Sequence, residues 1–316
     1  MKSSVDAAPM TLAATHDGRR KKRLDYRRLL FQIVFLLPAV GFLVVFMFYP
    51  IEETFRTSMM QTSALSPPTF IGFENYQRLF ASAEFRKGLA NVLAWAFWSV
   101  VIQIPLAFFI AFSLVAYSNR LTSKLRVIYY MASIMPSAIV AMLGRFIFAP
   151  RFGVISTIAQ RFGWAWLQNV DFLGDPSKVF WSLFAIATWA YIGFGIVYLM
   201  ANIEQIPMEI REAAELDGAN RLQYALYVVL PMVSYPIRIL AIISTVGSLK
   251  LFDVPYLMTG GGPVYYSTTL AIILYKQGFV NWRYGRAAAV GVIIFLLSLA
   301  FSIAQFSMQR KGGELD

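Results

Sequence analysis

The chain has 316 residues, of which 58% are hydrophobic and 14% charged, whereas a soluble domain sits near half apolar and a quarter charged. That balance belongs to an integral membrane protein. Cysteine is absent and the single histidine, His16, lies in a polar stretch, which excludes disulfides, cysteine catalysis and histidine metal clusters.

The net charge of +11 has a local source. Lys2 and the run Arg19, Arg20, Lys21, Lys22, Arg23, Arg27 and Arg28 abut a hydrophobic stretch, which reads as a topology signal and not as a nucleic-acid surface. Residues 1–28 are polar, basic and without apolar periodicity, so a disordered tail is expected. Uncharged or nearly uncharged stretches follow at 29–49, 88–117, 127–149, 179–203, 232–257 and 287–309. A bilayer core needs about 20 apolar residues per helix, and backbone groups in lipid must pair within the helix. An all-α integral membrane fold with six transmembrane helices is therefore expected, with the short tail 310–316 after it. The stretch 29–49 is too long for a signal-peptide core and lacks a small-x-small cleavage site, so it reads as a retained first span. Pro105 predicts a kink in the second span.

The basic tail places the amino terminus inside by the positive-inside rule. Six spans then put the carboxyl terminus and the segment 204–231 inside as well. On the outer side, "IGFENYQRLF" (Ile71–Phe80) mixes aromatic and polar residues at helical spacing and predicts a helix lying on the membrane surface.

The inner segment begins "EQIPMEIREAAELDGANRLQYALYVVLP". Pro207 suits a helix start, and Glu204 and Glu209 suit its positive end. Ile210, Ala213, Ala214, Asp217 and Gly218 recur at three-four spacing, so one face is small-surfaced. Gly218 is also suited to a positive φ or a helix end. Such a segment is either a solvated connector or a docking helix.

In span five, Ser244, Gly247, Ser248 and Leu251 share a three-four stripe, which serves helix packing or a polar path. Lys250 and Asp253, three apart, share a helix face; they either pair as ions near the outer interface or line an outer mouth. In span four, Trp189 and Tyr191 offer aromatic faces and hydrogen-bonding groups suited to a sugar ring. Gly260, Gly261 and Gly262 before Pro263 make a turn in the loop that follows span five. No GxxxxGK(S/T), HExxH, GxSxG or CxxC pattern occurs, so ATP binding by a P-loop is excluded. Asp253 is the one carboxylate within a span, where a proton-coupled carrier keeps several titratable groups.

Glu212-Ala213-Ala214, then Gly218, then Val228 and Leu230-Pro231 resemble the EAA signature of ABC-transporter permease subunits; Val228 stands where that family usually has isoleucine. "FDVPYLMTGGGP" (Phe252–Pro263) followed by "STTLAIILYKQGF" is similar to the carbohydrate-uptake branch, in the subunit type of the larger maltose permease and the first glycerol-phosphate permease. The likeness runs over nearly the whole chain and leaves out residues 1–28. It implies the type I importer permease fold with both termini cytoplasmic in a multi-pass plasma (inner) membrane protein of a bacterium or archaeon. It also implies half of a translocation path for a di- or oligosaccharide, polyol or sugar phosphate. The chain itself is then no enzyme and holds no cofactor or metal. The implied partners are a second permease subunit, two ATP-binding subunits that carry ATP and magnesium, an external solute-binding protein, membrane lipid and the sugar, with no nucleic acid. Glu212, Ala213, Ala214, Asp217, Gly218, Leu230 and Pro231 become the ATPase-coupling positions. Trp189, Ala190, Tyr191, Phe194, Ser244, Gly247, Ser248 and Leu251 become the substrate path, and Lys250, Asp253 and Gly260–Gly262 the outer mouth. An ATP-independent secondary carrier and, further off, a polytopic membrane enzyme are the alternatives.

Overall fold

The computed structural model describes residues 26–63, 66–117 and 120–312. The basic tail lies, up to residue 25, outside the described residues, as do residues 313–316. The chain divides into two units, Met1–Ile51 and Glu52–Asp316. In the first, helix α1 (Tyr26–Leu43) is uncharged after Arg28 and runs into a π-turn at Val44–Phe48. It starts at Tyr26, three residues before the stretch read as span one.

The second unit takes in most of α2 (Tyr49–Ser58) and then a short antiparallel hairpin, β1 (Met60–Ser63) with β2 (Ser66–Phe70). No local pattern announces this hairpin; Pro67 and Pro68 confine β2 to an edge position. The outer-segment helix is α3 (Glu74–Ala81). Ser82 caps the next helix, α4 (Ala83–Trp98), which continues through a π-turn at Ser99–Gln103 into α5 (Ile104–Ala116). Pro105 removes a donor and crowds the carbonyl four residues back, and the π-turn absorbs that misfit without breaking the helix.

The stretch 127–149 differs from a straight span. Helices α6 (Arg120–Ser133) and α7 (Ser137–Ile147) meet at 100°. Pro136 is the cause: it disfavours helical backbone at Met135 and becomes the N-cap of α7. Two short helices, α8 (Val154–Arg161) and α9 (Ala165–Gln168), lead to α10 (Val179–Ile203). At about 1.5 Å per residue, α10 is long enough for a hydrocarbon core of about 30 Å. Gly193 in α10 lies against the Tyr129 carbonyl of α6, where a Cβ would come within 2.1 Å, so the two backbones touch.

Helix α11 (Met208–Leu216) precedes α12 (Arg221–Gln223), a π-turn at Tyr224–Val229, and α13 (Leu230–Met232). The fifth stretch is also bent, by 73°, between α13 and α14 (Ser234–Leu249). Pro236 clashes with the carbonyl of residue 232 in a continuous helix, and Val233 takes the break. A second interruption at Lys250–Phe252 separates α14 from α15 (Asp253–Thr259). After α16 (Leu270–Tyr275), helix α17 (Tyr284–Gly312) closes the fold. Among the described residues, four helices are long and apolar enough to cross a membrane, or up to six spans if each bent pair counts as one.

Three apolar clusters hold the second unit. Ala107, Phe108, Leu199, Val229 and Leu240 join α5, α10, the 224–229 turn and α14. Trp95, Val140, Leu183, Ala190 and Val254 join α4, α7, α10 and α15. Phe85, Val92, Leu270 and Val290 join α4, α16 and α17. Between the first two clusters the packing opens.

Candidate translocation cavity and coupling loop

Helices α4, α10, α14 and α15 surround a cavity of about 390 Å³. Trp95, Ser99 and Gln103 line it from α4 and its π-turn, and Ala187 and Tyr191 from α10. Ser244, Gly247 and Ser248 line it from α14, Lys250, Leu251 and Phe252 from the interruption, and Asp253 from the first turn of α15. A second cavity of about 240 Å³ continues along α5, α10 and α14 between Ala107, Ser133, Phe194, Gly195 and Leu240. Gln103, Tyr191 and Ser244 line both, so they form the junction of the two.

Of the residues expected on a path, Tyr191, Ser244, Gly247, Ser248 and Leu251 reach the larger cavity and Phe194 the smaller. Ala190 does not: it is fully buried in the cluster of Trp95 and Val254. Trp189 is exposed on another side of α10 and lines neither cavity. Two residues apart on a helix point about 200° apart, so Trp189 and Tyr191 do not face one ligand. Ser248 serves both of its expected uses. It lines the cavity, yet it is 3% exposed, donates to the Ser244 carbonyl at 2.7 Å and meets Ser99 Oγ at 3.5 Å.

Gln103 was missed by sequence reasoning. Its Nε2 donates to Thr188 Oγ1 at 2.8 Å, which fixes the amide against α10. An amide within an otherwise apolar span was the available signal, since polar groups at that depth are costly unless they serve a cavity or a partner.

The residues expected at an outer mouth depart from expectation in one respect. Lys250 lies in the interruption and Asp253 begins a new helix, so they share no helix face, and no ion pair joins them. Both line the larger cavity instead. Gly260 (φ 63°) caps α15 in the left-handed region. Of the three glycines, Gly262 lines a cleft of about 790 Å³ with Arg145, Phe146, Thr259 and Pro263. The turn is held from outside: Asn91 Nδ2 on α4 donates to the carbonyls of Tyr265, Tyr266 and Thr268 at 3.2, 3.1 and 2.8 Å. Lys87 lies over the Tyr266 ring at 4.1 Å.

The segment 204–231 folds as two helices around a glycine turn. Pro207 stands at the N-cap of α11, with Glu209 in its first turn. Glu204 instead ends α10 and pairs with Arg126 at 2.7 Å. Helix α11 stops at Leu216, so Asp217 and Gly218 leave the face that the spacing had given them. Gly218 has φ 80°, the Ala219 N–H donates to the Ala214 carbonyl at 3.0 Å and the Asp217 N–H to the Ala213 carbonyl at 2.9 Å. This is a Schellman-type ending, which needs a left-handed residue. Asn220 then starts α12 with a capping box to Gln223. Ala214 is buried, whereas Glu212, Ala213, Asp217 and Pro231 are exposed and Leu230 is half-buried. Leu216, which the spacing did not single out, is 90% exposed. A hollow of about 240 Å³ lies beneath α11, among Phe112, Ile203, Ile206, Arg211 and Tyr224.

Comparison with known proteins gives a consistent picture. Residues 103–311 match the family model described as binding-protein-dependent transport system inner membrane component. The chain is 31% identical to the "Probable ABC transporter permease protein YurN" of Bacillus subtilis, over 89% of this chain and 96% of that one. It is 28% identical to the sulfoquinovosyl glycerol transport system permease protein SmoG of Agrobacterium fabrum, over 91% and 92%. A chain in the crystal structure of a bacterial ABC transporter involved in the import of the acidic polysaccharide alginate has the same fold. Its TM-score is 0.79 at 24% identity, with coverage of 91% and 97%.

Proposed function

The chain belongs to the family of binding-protein-dependent transport system inner membrane components, and from that membership we propose that it forms half of the path of an ATP-driven sugar importer. It is a multi-pass membrane protein, and the plasma membrane of a bacterium or archaeon is its proposed place. The proposed partners are a second permease subunit, two ATP-binding subunits and an external solute-binding protein.

One observation carries the reading. The span junction Gln103–Tyr191–Ser244 joins two cavities, while α11 offers an exposed, glycine-ended helix at the segment that the basic tail assigns to the cytoplasm. Docking would use Glu212, Ala213, Asp217 and Leu216, with Gly218 setting the exit of the helix and Leu230-Pro231 linking it to span five. Closure of the ATPase pair would push α11, and the spans would rock so that the cavity opens outward. Hydrolysis would return it inward. The cavity is lined by Trp95, Tyr191, Ser99, Ser244 and Gln103, aromatic faces beside hydroxyl and amide groups. That lining suits a sugar ring, which presents an apolar face and a rim of hydroxyls. Lys250 and Asp253 at the same wall supply one charge of each sign.

The test is uptake of a panel of radiolabelled oligosaccharides by cells with and without this chain, repeated after deletion of the ATP-binding partner that co-purifies with it. Loss of sugar uptake in both deletions supports the proposal. Uptake that survives loss of every ATP-binding partner points to a self-sufficient carrier.

A further inference from the structure

At the amino end of α17, far along the chain from the coupling segment, a polar cavity of about 290 Å³ is lined by Gln61, Thr62, Asn75, Arg78, Arg283 and Arg286, with Gly285. Three elements bring these side chains together: the β-hairpin, α3 and the start of α17, where Arg283 stands just before the helix and Arg286 in its first turn. Asn75 fixes the arrangement, donating to the carbonyls of Ser58 and Met60 at 2.9 Å each. Three guanidiniums therefore converge where one carboxylate is at hand. Glu74 is already paired with Arg78. Among the described residues, no hydrogen bond or ion pair occupies the side chains of Arg283 or Arg286. The Thr62 hydroxyl in the same lining is buried without a partner. Like charges gathered in one cavity repel unless an anion joins them. Arginine is suited to that role because its planar fork takes phosphate oxygens two at a time. The first N–H groups of the 29-residue α17 add donors and a positive dipole end.

The depth of the cavity selects the anion. The stretch of α17 long and apolar enough to cross a membrane starts at Tyr284, so Arg283 stands just before it and Arg286 in its first turn, which puts both at the level of lipid headgroups. Phe70 and Phe73 on one flank, and Phe279 and Trp282 on the other, are exposed large apolar side chains. Tryptophan and tyrosine concentrate at the membrane–water interface, which fits Trp282 and the neighbouring, exposed Tyr284. A protein partner that docks from water does not need such a rim.

We propose that Arg78, Arg283 and Arg286 hold the phosphate group of an anionic phospholipid at the end of span six opposite the carboxyl terminus. The bound headgroup completes the charge balance of the cavity and ties the hairpin and α3 to α17.

Native mass spectrometry of the full-length chain in detergent, titrated with phosphatidylglycerol, tests this. The expected result is one retained lipid, with affinity about thirtyfold lower in Arg283→Gln/Arg286→Gln, at roughly tenfold or less per arginine. Glu74→Gln frees Arg78 and is expected to raise retention, so it decides the matter if the double variant fails to fold. Inorganic phosphate at large excess is expected to leave the lipid in place. Equal lipid retention by wild type and the double variant overturns the proposal, as does no gain in Glu74→Gln. Displacement by inorganic phosphate assigns the cavity to the free anion and overturns the lipid. Unchanged lipid binding with loss of binding-protein-dependent uptake assigns the arginines to a protein contact and overturns it as well.

Discussion

Gln103 donates a 2.8 Å hydrogen bond to Thr188, and this bond joins α4–α5 to α10 at the junction of the two cavities. Gln103 sits on the π-turn that Pro105 provokes, so a backbone misfit delivers a polar side chain to the junction of the cavities. Gln103→Leu is expected to raise the KM for uptake up to about tenfold, since one hydrogen bond nets about 0.5–1.5 kcal/mol. Complex assembly should be unchanged. Thr188→Val removes the same bond but leaves the amide in the cavity, so its effect should be smaller. Equal KM in wild type and Gln103→Leu removes the amide from the path.

Gly218 at φ 80° has open space around a would-be Cβ, so the backbone and not the room dictates glycine. Substitutions should rank by left-handed tolerance: Asn close to wild type, Ala weaker by about 1 kcal/mol, Val weaker still. Uptake with co-purification of the ATP-binding subunits measures the series. Identical behaviour of Asn and Val would discard the conformational account.

Leu216 is 90% exposed at the end of α11. An apolar side chain held out at that position suits a partner pocket, and central contacts of this kind are worth about 2 kcal/mol or more. Leu216→Asp is expected to weaken capture of the ATP-binding subunits by roughly thirtyfold, while the melting temperature of the isolated chain stays constant. Full capture by Leu216→Asp excludes it from the docking face.

Asn91 holds three carbonyls of the loop 265–268 with one amide. Asn91→Ala should cost about 1–3 kcal/mol locally and speed amide exchange in residues 259–269, read by mass spectrometry. Exchange there that matches wild type shows that the loop stands without it.

Arg126 in the middle of α6 pairs with Glu204 at the end of α10, but both side chains are about a third or more exposed. Their coupling energy in a double-mutant cycle of Arg126→Gln and Glu204→Gln should stay below about 1 kcal/mol. A value of several kcal/mol would show that the pair is shielded in the assembled transporter.

The helical character of the chain could be read from its uncharged stretches, because lipid leaves the backbone no partner but itself. The bends were legible in part. Pro136 and Pro236 stand where the chain turns, and the expectation of one span each at 127–149 and 232–257 did not mark them. The fold of the segment 204–231 was legible in part because its signals are local: Gly218 announced a left-handed exit, whereas α11 stops at Leu216 and leaves Asp217 and Gly218 off the face that their spacing gave them. The separation of Trp189 and Ala190 from Tyr191 also follows from helical geometry, once the orientation of α10 is known.

The sequence by itself determined a helical membrane protein, the order of its spans and the glycine-ended helix of 204–231. All of these follow from hydropathy or from constraints within a few residues. Only the tertiary structure decided that Gln103 reaches both cavities, that Lys250 and Asp253 part company, and that three arginines meet at the head of α17. The interruption at Lys250–Phe252 shows the reason: the Thr269 hydroxyl, 18 residues on, donates to the Leu251 carbonyl at 2.7 Å. A backbone group released from its helix must find a partner, and when that partner is distant in sequence no local pattern announces it.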